Sequence, residues 1–243
     1  MRRIIFFTLF TVLTISLFSE EALSIVRKLD SNEIYESIKY EGEMIIETSG
    51  KKYVKTFYAY GQGSKQSFME FTNSDDAGTK YLKTDGKLFI YSPDSEEVIP
   101  ITGHMLKESM MGSDMSYEDT IDNDTLEARY NSKILREEDF NGKSCYVLEL
   151  VAKKKTESYP KQVIWVDKEN YNGLKAELYA LSGAKLKEQQ VLEIKKIGKR
   201  FFPILIEVKD LLRKNSKTTF KMNGVELDTE IPRNTFSLKN LER

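Results

Sequence analysis

The chain is poor in the residue types that catalysis and metal binding usually need. Its 243 residues include one histidine, one cysteine and one tryptophan. A lone cysteine, Cys145, cannot form an internal disulfide, so the fold must hold without a covalent staple. It lies in the strand-like run Ser144–Val151, where a buried free thiol acts as a small apolar side chain. One His and one Cys far apart do not make a conventional zinc site, and no metal or cofactor is expected. An excess of either charge is also missing. The 37 basic and 38 acidic residues leave a net charge of −1. No basic patch is interleaved with aromatics, which argues against nucleic-acid binding, and the charges are spread as on a solvated face. There is no G-x-S-x-G elbow, and Gly61 and Gly63 lack the third glycine of a phosphate-cradling loop. The acidic cluster Glu118, Asp119, Asp122 and Asp124 lacks the spacing and glycine of an EF-hand. No internal repeat or low-complexity tract appears.

One long apolar run is present. Arg2 and Arg3 precede a stretch from Ile4 to Phe18 broken only by Thr8, Thr11, Thr14 and Ser16. It is shorter than the roughly 20 apolar residues of a spanning helix, and Glu20 and Glu21 follow at once. A basic start, an apolar middle and an early polar stop describe a cleaved secretory signal over residues 1–19. An uncleaved anchor is the alternative. Export, a periplasmic location and one domain over residues 20–243 are the expectations, since about 220 residues can bury one full core.

The rest reads mainly as strand. A helical pattern from Glu21 to Ile38 (Ala22, Ile25, Val26, Leu29, Ile34, Ile38) comes first, with Asp30-Ser31-Asn32 as a break. Alternating runs then follow, among them Tyr40–Glu47, Tyr53–Tyr60, Leu88–Tyr91, Ser132–Glu138, Ser144–Val151 and Phe202–Asp210. Asp85-Gly86 and Asn141-Gly142 mark hairpin turns. About eleven strands in meander order, with few helices, predict one large antiparallel sheet. A sheet of that length curls, and its concave face needs a cover.

The segment after the Asp85-Gly86 hairpin supplies a candidate. Met105, Met110, Met111 and Met115 are half of the chain's eight methionines. Methionine is unbranched and polarizable, and suits a surface that must accept irregular apolar partners. The predicted apolar site comprises Met44, Ile46, Phe57, Phe89, Met105, Met110, Met111, Met115 and Trp165. Plain core packing would explain the same residues. A cavity covering about ten methylenes would gain roughly 8 kcal/mol, at about 0.8 kcal/mol each, before entropic costs. For catalysis the sequence offers only His104, with Ser109 and Asp114 or Asp119 nearby.

Several blocks together resemble the LolA-like family of outer-membrane lipoprotein-sorting proteins, over nearly the whole chain after the signal. They are Tyr40-Glu41-Gly42-Glu43-Met44 after the first helix, the hairpin Thr84-Asp85-Gly86-Lys87-Leu88-Phe89-Ile90-Tyr91-Ser92-Pro93, Asp167-Lys168-Glu169, Phe202-Pro203, and Ile231-Pro232 with Phe236, Leu238 and Leu241. The stretch Ser109–Asp119 is similar to a broader branch. The resemblance implies a strongly bent, incomplete antiparallel β-barrel covered by helices. It also implies an apolar interior for the acyl chains of lipoproteins, phospholipid or glycolipid, and transport partners at the inner and outer membranes. The leading expectation is a periplasmic carrier moving lipoproteins or other lipids towards the outer membrane. A lipid-ester hydrolase using the same cavity is the first alternative. A non-enzymatic envelope sensor or structural protein is the second.

Overall fold

The computed structural model describes residues 20–121 and 124–242, so the run read as a signal lies outside the described residues. Thirteen strands form an antiparallel sheet, open because its two end strands each have a single neighbour. In chain order they are β1 (Ser37–Thr48), β2 (Lys51–Gln62), β3 (Gln66–Phe71), β4 (Lys80–Thr84), β5 (Lys87–Ser92), β6 (Glu97–Ile101) and β7 (Tyr130–Phe140). They continue as β8 (Lys143–Ala152), β9 (Lys161–Asp167), β10 (Gly173–Tyr179), β11 (Lys185–Ile197), β12 (Arg200–Asp210) and β13 (Ser216–Leu227). The count exceeds the expected eleven because short runs such as Glu97–Ile101 pair as full strands, here with β5. Four helices are described: α1 over residues 20–33, and the single turns α2 (Glu118–Ile121), α3 (Leu126–Arg129) and α4 (Leu238–Leu241). Among the described residues no helix is long and apolar enough to cross a membrane.

The chain divides into two compact units. The first takes its N-terminal part up to Asn32 together with Thr125–Leu186. Its strands run in the order β10-β9-β8-β7. The β7–β8 turn puts Asn141 and Gly142 at φ 51° and 78°, the two positive values that a type I′ hairpin requires and that Asn-Gly supplies. α1 buries Ala22, Ile25, Val26 and Leu29, an i, i+3, i+4, i+7 stripe. Ile25, Val26 and Leu29 pack on Tyr130, Leu148, Leu150, Ile164 and Val166. The helix runs through the predicted break, and the Asp30 carboxylate accepts the backbone N–H groups of Leu126 (2.9 Å) and Glu127 (3.0 Å). Those are orphan donors at the start of α3. Burial nevertheless pushes the Asp30 carboxyl up from its ordinary value. Ile38 belongs to β1 rather than to the helix, because the chain has already turned into the ladder at Ser37.

The second unit holds Glu33–Asp124 and Lys187–Arg243, with strands in the order β6-β5-β4-β3-β2-β1-β13-β12-β11. Its main core joins Met44 and Ile46 of β1, Phe57 and Ala59 of β2, Phe71, Tyr81, Leu88 and Ile101. These are the alternate positions of successive strands, so they share one face. Gly42 belongs to this packing: a Cβ there would lie 2.2 Å from the ring of Phe57, its cross-strand partner. The other face carries Phe68, Leu82 and Leu241, with Phe89, Tyr91 and Phe236 against them.

Candidate functional site

The apolar face of the second unit is where most of the predicted site residues meet. Met44, Ile46, Phe57 and Met110 are buried in one cluster, and Met105, Met111, Leu106, Tyr117 and Ile121 pack against it. Met44, at the centre of β1, is 0% exposed. The Met-rich stretch thus covers this face, in two 3₁₀ turns (Gly103–Lys107 and Met110–Gly112) followed by α2. Burial on this face pushes the Tyr81 and Tyr40 phenols well above their ordinary value, helped at Tyr81 by the neighbouring Tyr117. The Tyr81 and Tyr117 rings stack with centroids 6.1 Å apart.

The cover is a structure of its own. The Met110 N–H donates to the Met115 carbonyl (2.8 Å) and the Tyr117 N–H to that of Glu108 (3.1 Å), and Ser109 bridges Ser116. Met111 sits at φ 53°, ψ 26°, a left-handed conformation that costs a non-glycine residue energy and persists only where the surroundings enforce it. Three polar clasps hold the cover in place. Asp114, 1% exposed, accepts from the Thr218 hydroxyl (2.7 Å), the Ser216 hydroxyl (2.9 Å) and the Asp210 N–H (3.1 Å). Asp119 pairs with Lys187 of β11 at 2.5 Å, the side chains being 6% and 8% exposed. Arg213 donates to the carbonyls of Gly112 (2.9 Å) and Ser113. Loops are usually surface connections with little packing; here buried charge ties an apolar flap to the strands beneath.

The remaining predicted residues lie elsewhere. Phe89 follows Leu88 on β5 and so faces the opposite side, in the cluster with Phe68, Leu82 and Leu241. Met115 is half-buried and enters the cover through its carbonyl. Trp165 stands on β9 in the first unit, donates its indole N–H to Glu138 and meets the Lys175 ammonium 4.6 Å from its ring centroid. His104 is exposed. The Ser109 hydroxyl donates to the Ser113 carbonyl at 2.5 Å, and the Asp114 carboxylate is filled by the clasp. Among the described residues no group of three His, Cys, Asp or Glu is placed to hold a metal ion.

Reading by residue missed Phe71, Tyr81, Leu88, Ile101 and Tyr117. Strand parity was the available signal: once Met44 and Ile46 are on a face, the pairings Met44↔Lys55 and Gly42↔Phe57 propagate that face outward. Asp114 and Lys187 were not legible as clasp residues, because their partners are remote in sequence.

Comparison with known proteins places this geometry. A family model described as an uncharacterized protein matches residues 63–243. No curated protein matches the chain. Three solved structures are similar over nearly the whole length. A DUF1329 family protein from Desulfovibrio piger has 24% identity and a TM-score of 0.84, covering 92% of this chain and 99% of its own. An outer membrane lipoprotein-sorting protein domain from Vibrio parahaemolyticus has 23% identity and a TM-score of 0.81, covering 93% and 100%. A LolA superfamily protein from Nitrosomonas europaea has 20% identity and a TM-score of 0.74, covering 90% and 98%. At these identities the likeness is one of fold.

Proposed function

This chain belongs to the family whose model matches residues 63–243 and has a LolA-like fold, and from that premise we propose that it is a carrier of acyl chains in the bacterial envelope. The observation that carries the proposal is the separately hydrogen-bonded, Met-rich cover over the apolar face of Met44, Phe57, Phe71 and Tyr81. In the carrier the clasps release, the cover swings out, and the acyl chains of a lipoprotein or phospholipid take the places of Met105, Met110 and Met111. Each buried methylene is worth about 0.8 kcal/mol, which offsets the burial that the methionines give up when the cover leaves. Release needs a partner that competes for the chains. The chain works after export, in the periplasm, its first 19 residues acting as the signal.

Native mass spectrometry of protein taken from a membrane-containing lysate tests this, paired with displacement of a fluorescent fatty acid. Bound lipid is expected, and Met69→Asp, which puts a charge on the sheet face beneath the cover, weakens fatty-acid binding at least tenfold. A protein that carries no lipid and binds no fatty acid refutes the carrier. The tight packing of Met44, Ile46 and Phe57 favours a second reading for that outcome, a non-enzymatic envelope sensor whose sheet binds another protein. The hydrolase alternative has no such support, since Ser109 and Asp114 are engaged within the cover and its clasp.

A further inference from the structure

The end of the second unit's sheet that holds the clasps has a feature the cover does not use. After β12 the chain turns through Leu211 and Leu212, which are 46% and 76% exposed. The turn is ordered: the Leu212 N–H donates to the Asp210 carboxylate (2.9 Å) and the Arg213 N–H to the Asp210 carbonyl (3.1 Å). The two leucines are therefore held outward. Single exposed apolar residues are ordinary, but a rigid pair at a turn tip surrounded by cations has the composition of an interfacial anchor. Lys214 follows in the chain. Lys51 and Lys52 come from the adjacent β1–β2 hairpin, joined to this turn by the Ser49 N–H on the Asn215 carbonyl (3.1 Å). They line an open cavity of ≈ 350 Å³ between the hairpin ends. The acids at this end face other cations. Glu207 meets Lys209 at 2.9 Å and Lys217 at 3.2 Å, Glu47 meets Lys217 at 3.5 Å, and Glu188 stands opposite Lys209 in the β11–β12 register. The excess positive charge therefore resides on Lys51, Lys52 and Lys214.

We infer that this turn is a membrane-docking tip: Leu211 and Leu212 enter the interface of a bilayer rich in anionic lipid, while Lys51, Lys52 and Lys214 lie against headgroup phosphates. The inference goes beyond the carrier reading and holds whatever the apolar face binds. Charge complementarity selects the anionic bilayer over a neutral one. Arg213 of the same turn holds the Gly112 and Ser113 carbonyls, so the tip that meets the bilayer also clasps the cover.

The test uses a site-specific probe, since the chain's one native thiol, Cys145, is buried. Leu212→Cys is labelled with an environment-sensitive fluorophore and mixed with vesicles of phosphatidylglycerol and phosphatidylcholine, or of phosphatidylcholine alone. Ser95→Cys, on the exposed β5–β6 turn, is the control position. A blue shift at position 212 with the anionic vesicles only, absent at position 95 and screened by about 0.5 M salt, is expected. Lys51→Gln lowers vesicle affinity about fivefold, as for one cation at an anionic surface. An unmoved probe at 212, equal shifts with both vesicle types, or equal shifts at both positions overturns the inference. Fatty-acid binding measured on the same samples keeps its failure separate from failure of the carrier reading.

Discussion

Asp119→Asn asks whether the cover is held by its clasps or only by its methionines. The side chains of Asp119 and Lys187 are 6% and 8% exposed and meet at 2.5 Å. The same carboxylate oxygen accepts the Ser116 N–H (2.8 Å) and hydroxyl (2.9 Å). Replacing it with an amide leaves the Lys187 ammonium in a buried site without that counter-charge. Removing one partner of a buried ion pair typically costs about 3–5 kcal/mol. The sheet beneath does not depend on this pair, because the ladder between β11 and β12 is backbone hydrogen bonding. The loss therefore falls on the closed position of the cover. If acyl chains bind only when the cover is open, apparent affinity scales with the open fraction. About 3 kcal/mol, at about 1.4 kcal/mol per tenfold, corresponds to roughly a hundredfold gain in affinity for a fluorescent fatty acid, until the open form predominates. Hydrogen exchange read by mass spectrometry gives the other half of the assay. Amides of residues 105–121 lose protection while those of β1 and β2 keep theirs. A cover that loosens with no gain in fatty-acid affinity would refute the link between the covered face and binding. Joint loss of protection in cover and strands would refute the clasp.

Two further outcomes bear on the fold. Gly42→Ala drives a Cβ to 2.2 Å from the Phe57 ring, an overpacking that costs about 1–3 kcal/mol; urea midpoints should fall accordingly, and Phe57→Leu in the same chain should recover part of the loss. In the first unit, burial alone would raise the Glu177 carboxyl, yet hydrogen bonds from Tyr179, Lys175 and Lys185 hold it down to about 2 from its usual 4.5. A depressed carboxylate contributes stability that is present above its unfolded value and lost as pH falls through the folded one. Glu177→Gln should thus be less stable than the parent at pH 7, with the gap closing between about pH 4.5 and pH 2, as denaturation at those pH values would report. A gap that widens on acidification would contradict that assignment.

Much of the architecture was legible in local sequence. Asn141-Gly142 and Asp85-Gly86 place two hairpin turns because few residue pairs accept positive φ at both positions. The stripe Ala22, Ile25, Val26, Leu29 specifies a helix with one buried face, and the clustering of Met105, Met110 and Met111 marks a cover of unusual softness. These signals repeat within one turn or one strand, so the chain carries them without reference to its neighbours. Tertiary structure decided which face each side chain joined and what the cover rests on. Phe89 fell on the wrong side by one residue of parity, because a period of two inverts with any slip. Trp165 went to the first unit and a carboxylate partner. The Met-rich segment covers one apolar cluster and α1 a separate one. Asp114 and Lys187 became clasps only when chain closure brought Thr218 and Asp119 to them, pairings 104 and 68 residues apart that no local pattern encodes.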